Sequence, residues 1–125
     1  MGKFLLKDKS YTFAIKIIGF CRTLNEQREY IISKQLLRSG TAIGALIREA
    51  EFAESRADFS HKLSIALKEA NETDYWLSLL RDTKHIDLSS DQSTLTSDCK
   101  ELIAILVSIV KKTKPDRNQL LTINF

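Results

Sequence analysis

The sequence predicts an all-α protein, an up-down-up-down antiparallel four-helix bundle, on three observations. Pro115 is the only proline in the chain of 125 residues, so nothing breaks a helical pattern before that point. No alternation of apolar and polar residues persists for the length of a strand. Apolar residues instead recur three and four apart along four successive segments, the period that gathers them on one face of a helix. At 43% hydrophobic, a chain of this length buries roughly two-thirds of the surface its unfolded form exposes, enough for one domain without staples. The domain plan is an N-terminal arm over 1–9, the bundle over 10–114 and a C-terminal tail over 115–125.

The first helix is expected over about 10–26, with Ser10 as its N-cap and Phe13, Ile17, Phe20 and Leu24 on its inner face. The second runs from about 28 to 54 and turns Ile32, Leu36, Ile43, Leu46, Ile47 and Ala50 inward. The third, about 58–84, repeats Phe59, Leu63, Ala66, Ala70, Thr73, Leu77 and Leu80 in unbroken four-three alternation. That is the heptad seam antiparallel bundles use. After the turn HIDLSSDQS the fourth helix carries Leu95, Cys99, Leu102, Leu106 and Ile109 to about residue 114, and Pro115 ends it.

Inside the second segment stand Gly40 and Gly44, two of four glycines in the chain. Each costs roughly 0.5–1 kcal/mol against alanine in a helix interior. Bare Cα atoms one turn apart let a neighbouring backbone approach closely. A ligand is the other reading, but helical amides are already paired and offer no phosphate cradle.

Charge is distributed in blocks. Residues 1–48 hold nine Lys/Arg against three acids, residues 49–101 six against twelve, and residues 102–125 four against one. Such segmentation marks either a nucleic-acid surface or a basic part of one copy that meets the acidic part of another. On a helical wheel Lys34, Arg38 and Arg48 gather opposite the core face of the second helix, with Thr41 and Ala45 between them. The third helix carries a second stripe away from its seam, Ile65, Glu69, Glu72, Trp76 and Leu79. These two stripes, with Gly40 and Gly44, are the expected oligomer interface, in which subunits pair heterologously.

The run QLLRSGTAIGALIREAEFAESRADFSHKLSIALKEANETDYWLSLL resembles the signature region of the four-helix-bundle family named for the 23S rRNA intervening sequence. Gln35, Leu36, Arg38, Ile43, Ala45, Ile47 and Glu49 match the first half of that signature, and Phe59, Leu63, Ile65, Ala66 and Glu72 the second. The family often has proline where this chain has Gly44, asparagine at Leu46 and glycine at Ala50. The proline fits a bent turn at Gly44, and the missing asparagine removes any polar site built around it. The resemblance implies a homo-oligomer, a pentameric ring in relatives, with no assigned reaction. It also implies a cousin of similar fold, the strongly basic accessory variability protein of diversity-generating retroelements, which binds nucleic acid and a reverse transcriptase. With a net charge of only +3, this chain is far less basic.

No catalytic, cofactor or metal site is expected. Asp58-x-x-His61 and Asp82-x-x-His85 mimic the Glu-x-x-His unit of di-iron bundles, but on one helix they stand about 36 Å apart. GxSxG, P-loop, HExxH and CxxC motifs are all missing. Glu69 and Glu72 share a helix with no histidine nearby and read as ion-pair partners rather than an acid–base couple. Cys21 and Cys99 sit in apolar patterns and read as core thiols. With no apolar run of membrane-spanning length and no signal-peptide pattern in MGKFLLKDKS, the chain reads as cytoplasmic, with neither a membrane nor a small-molecule partner. Two functions follow. In one, an oligomer presents Lys16, Arg22, Lys34, Arg38, Lys111, Lys112 and Lys114 to the phosphates of RNA or DNA by backbone contacts. In the other, the basic stripe is used up in subunit contacts and the protein is an interaction scaffold.

Overall fold

The computed structural model describes residues 2–83 and 90–113. Nearly all of them lie in four helices: α1 Gly2–Glu26, α2 Tyr30–Glu51, α3 Arg56–Thr83 and α4 Ser90–Thr113. There is no strand among the described residues. Each helix packs on the next, and α4 returns to α1, so every helix has two neighbours around one core. The expected tail, Lys114, Pro115, His85 and the 84–89 connection lie outside the described residues.

The core follows the apolar stripes. From α3 it takes Leu63, Ala66, Ala70, Thr73, Leu77 and Leu80, all buried; Phe59 packs against it half-buried. From α1 it takes Phe13, Ile17, Phe20 and Leu24, from α2 Leu36, Ile43, Ile47 and Ala50, and from α4 Leu95, Cys99, Leu102 and Leu106. Ile109 is only half-buried, and Val110 takes the inner place at the end of that stripe.

The start of α1 is corrected. Ser10 is not an N-cap, because α1 begins at Gly2. It is buried in the helix interior and donates its hydroxyl to the Lys7 carbonyl at 3.1 Å. Leu6, two turns before Phe13, continues the apolar stripe and is 1% exposed, which keeps this segment on the bundle.

Both short connections are built by identifiable chemistry. After α1, Arg28 adopts φ 64°, while Arg28 N–H donates to the Asn25 carbonyl and Glu29 N–H to the Leu24 carbonyl. This is a Schellman closure with arginine where glycine is usual. It ends α1 and pushes the start of α2 past the expected residue 28. Before α3, Ser55 Oγ accepts from Asp58 N–H and the Asp58 carboxylate accepts from Glu54 N–H. This reciprocal cap starts the helix two residues earlier than expected.

The two glycines mark the close approach of α1 and α2. A Cβ at Gly40 would stand 2.9 Å from Cγ1 of Ile17, itself fully buried, and one at Gly44 would stand 3.4 Å from the Ser10 carbonyl oxygen. Both therefore face α1 of their own chain, Gly40 buried against it and Gly44 half-exposed.

Candidate functional site

The basic residues read from the sequence do not form one patch. Lys16 on α1 donates to Asp98 of α4 at 2.8 Å, and Lys9 to Glu101 at 2.7 Å, so the α1–α4 side is a ladder of local ion pairs. Arg38 is engaged as well. Arg22, Lys34, Lys111 and Lys112 are exposed. Lys7 near the start of α1 reaches Glu51 at the end of α2, and Ser60 at the start of α3 meets Thr113 at the end of α4. Lys111 and Lys112 therefore sit at that end of the molecule, and Arg22 and Lys34 toward the other.

Of the second-helix stripe only Arg38 meets the third-helix stripe inside the subunit. Arg38 donates to both oxygens of Glu69, at 3.1 and 3.3 Å, and to Glu72, whose carboxylate also accepts the Trp76 indole N–H at 2.9 Å. The Trp76 indole N–H and then the Arg38 guanidinium hold the Glu72 carboxyl below its usual value, and Glu72 in turn raises Arg38. A carboxylate held ionised in this way is a poor proton carrier at neutral pH. Ile65, Trp76 and Leu79 remain half-exposed beside it. Behind the network, the buried hydroxyls of Ser39 and Thr73 hydrogen-bond at 2.9 Å.

The remaining reactive groups are inert or dispersed. Cys99 is buried and donates to the Ala70 carbonyl at 3.3 Å; burial, with help from the charge of Asp74, pushes its thiol up to about 12. Cys21 is likewise buried and raised by desolvation, and it exchanges hydrogen bonds with Ser33. Such thiols are neither nucleophiles nor ligands. Among the described residues no three His, Cys, Asp or Glu side chains gather into a metal-binding group. No helix there is long and apolar enough to cross a membrane. The surface recesses are shallow; one of about 240 Å³ is lined by Leu6, Ile47, Phe59, Ile109 and Lys112.

The most distinctive surface joins most of the basic stripe read on α2 to a stripe on α1 that the sequence reading passed over. On α1, Tyr11, Ile15, Ile18 and Arg22 form an outward stripe in which Tyr11 is 57% and Ile15 56% exposed. Beside it α2 presents Tyr30, Lys34, Leu37, Thr41, Ala45 and Arg48. The Arg48 guanidinium lies 5.4 Å from the centre of the Tyr11 ring, which fixes the two stripes as one face over the glycine-lined α1–α2 seam. Three cations, Arg22, Lys34 and Arg48, stand on it, and the exposed Asp8 and Glu26 continue the α1 stripe at its two ends. Its signal was present in the four-three-four spacing of residues 11, 15, 18 and 22, a second apolar stripe on a helix already supplied with one.

Comparison with known proteins agrees with this architecture. The profile of the 23S rRNA-intervening sequence protein family matches residues 3–108. A crystal structure of a protein of unknown function from Bacteroides thetaiotaomicron, assigned to the S23 ribosomal protein family, is 53% identical. The match covers 89% of this chain and 99% of that one, with a TM-score of 0.83. Among curated proteins no similar chain is found. Its four helices, its signature residues on α2 and α3 and this match over most of its length agree: the chain belongs to the 23S rRNA-intervening sequence protein family.

Proposed function

We propose that the chain is a non-enzymatic, self-associating scaffold of the cytoplasm, an up-down-up-down bundle whose copies assemble into a small ring, a pentamer on the family resemblance. The exposed apolar face of α1 and α2 carries this reading. A monomer gains nothing by presenting Tyr11, Ile15 and Ile18 to water on one contiguous face, and such patches mark interaction sites. The antiparallel order is supported by Lys7 near the start of α1 pairing with Glu51 at the end of α2, by Lys62 early in α3 pairing with Glu49 late in α2, and by Lys9–Glu101 and Lys16–Asp98, which run in opposite senses along α1 and α4. Two buried free thiols suit a reducing compartment. Sedimentation equilibrium tests the assembly: species several times the 14.3 kDa chain mass are expected at micromolar concentration, and a monomer throughout would overturn it.

A second reading rests on Arg22, Lys34, Lys111 and Lys112, which keep their charge exposed. A ring multiplies such sites, so RNA or DNA would be held by phosphate contacts without sequence preference. Affinity would then fall with salt on a log–log plot, with a slope near −0.7 per phosphate neutralised on single strands. Lys16 and Arg38 would contribute little, since both already hold carboxylates. Absence of binding at low salt leaves the scaffold alone.

A further inference from the structure

We infer that the chain's own C-terminal segment, residues 116–125, packs back across the end of the bundle at which α4 stops and seats apolar side chains in the recess beside Ile109. Each of the four helices lines that recess of about 240 Å³: Leu6 from α1, Ile47 from α2, Phe59 from α3, and Ile109 and Lys112 from α4. Leu6 and Ile47 are buried, while Phe59 and Ile109 are half-buried. The Lys7–Glu51 ion pair and the Ser60–Thr113 hydrogen bond, each 3.1 Å, tie the helix ends around it. Its volume falls below the roughly 300–1,000 Å³ of small-molecule sites. It suits a few side chains.

The position and wording of the C-terminal segment identify the occupant. Helix α4 ends at Thr113, one residue past Lys112, so the chain leaves the bundle at the rim of the recess. Pro115 cannot continue the helical hydrogen bonds. The seven residues 114–120 span up to about 23 Å when extended, more than twice the roughly 8–10 Å between packed helices, so Leu121 and its successors reach any part of this end. In LTINF, Leu121, Ile123 and Phe125 alternate with Thr122 and Asn124, and an extended chain turns every second side chain to the same side. No strand among the described residues offers this short segment a partner. Burial of its three apolar side chains against the bundle is the gain left to it. Charge does not supply the attraction, because Lys114 and Arg117 outnumber Asp116 in the segment and Lys111 and Lys112 stand exposed beside its start. The contact is apolar and lies within one chain, so it does not depend on self-association.

Methyl-resolved NMR of the full chain tests this. Nuclear Overhauser contacts of the Ile123 methyls and the Phe125 ring with the Ile47 and Ile109 methyls are expected, and Ile123→Asp or Leu121→Asp is expected to abolish them and to shift the Ile109 resonance. Segment signals without such contacts, or an Ile109 resonance indifferent to both substitutions, overturn the inference. Copies labelled only at phenylalanine, refolded together with copies labelled only at isoleucine, should show no Phe125 contact to Ile47 or Ile109. Contacts in that mixture would give the recess to a neighbouring copy's segment and overturn docking within one chain. Added octanoate that shifts the Ile47 and Ile109 resonances while the segment stays free would make an amphiphile the occupant and overturn it equally. A monomer and an assembly are expected to give the same contacts, so the outcome of sedimentation leaves this test intact.

Discussion

At the scale of single residues, sterics and hydrogen bonds sort positions that look equivalent in the sequence. Gly40 and Gly44 share a helix face, yet only at Gly40 would a methyl group collide with a buried side chain. Ile17 has no room to move, so Gly40→Ala should lower stability by about 1 kcal/mol even after the gain in helix propensity. At Gly44 the nearest atom is at ordinary contact distance, so Gly44→Ala should be neutral or stabilising by up to about 1 kcal/mol. Urea midpoints of the two variants check this; equal effects of one sign would contradict it. Arg28 is the mirror case. Held at φ 64°, it pays for a conformation glycine adopts freely, and Arg28→Gly should raise the thermal midpoint by a few degrees. The sequence told of close approach at the glycines but not which helix approaches, because that depends on the neighbour. It hid the α1–α2 turn, where no glycine announced it.

Elements were legible wherever burial sets a period. The seam from Leu63 to Leu80 appears in the fold as written because two neighbouring helices hide those positions from water. Leu63→Ala or Leu77→Ala should cost about 2–5 kcal/mol in denaturant titrations. Boundaries were less legible. Ser10 has the side chain of an N-cap, yet Leu6 sits in phase with the stripe and its burial carries α1 on. The Arg38, Glu69, Glu72 and Trp76 cluster was visible as two stripes, but a wheel does not say that neighbouring helices bring them together in one chain. Between α2 and α3 this cluster adds a pH-dependent tie. The folded-state value of Glu72 lies below its ordinary 4.5, so its stabilisation is present above that value and is lost as pH falls through the folded one. Glu72→Gln should therefore flatten the acid limb of stability against pH below about 4.5. Its partners are partly exposed, so the effect is small.

At the scale of the whole molecule, charge blocks in the sequence proved to be two things at once. Much of the positive excess is matched locally, by Asp98, Glu101, Glu51 and Glu69. What is left over includes Arg22, Lys34 and Arg48 around an apolar face on α1 and α2, Lys68 on α3, and Lys111 and Lys112 at one end. Composition alone reported the sum and not this partition, which only the packing of four helices creates. A bundle that leaves Tyr11, Ile15 and Ile18 exposed on one face is suited to assembly with its own kind. Solvent labelling of tyrosine, read residue by residue in the dilute and the assembled protein, tests this most directly, since Tyr11 and Tyr30 both stand on the α1–α2 face and are more than half exposed in the single chain. Protection of Tyr11 and Tyr30 on assembly is the expected result. Equal labelling of both in the two states would contradict a buried α1–α2 face.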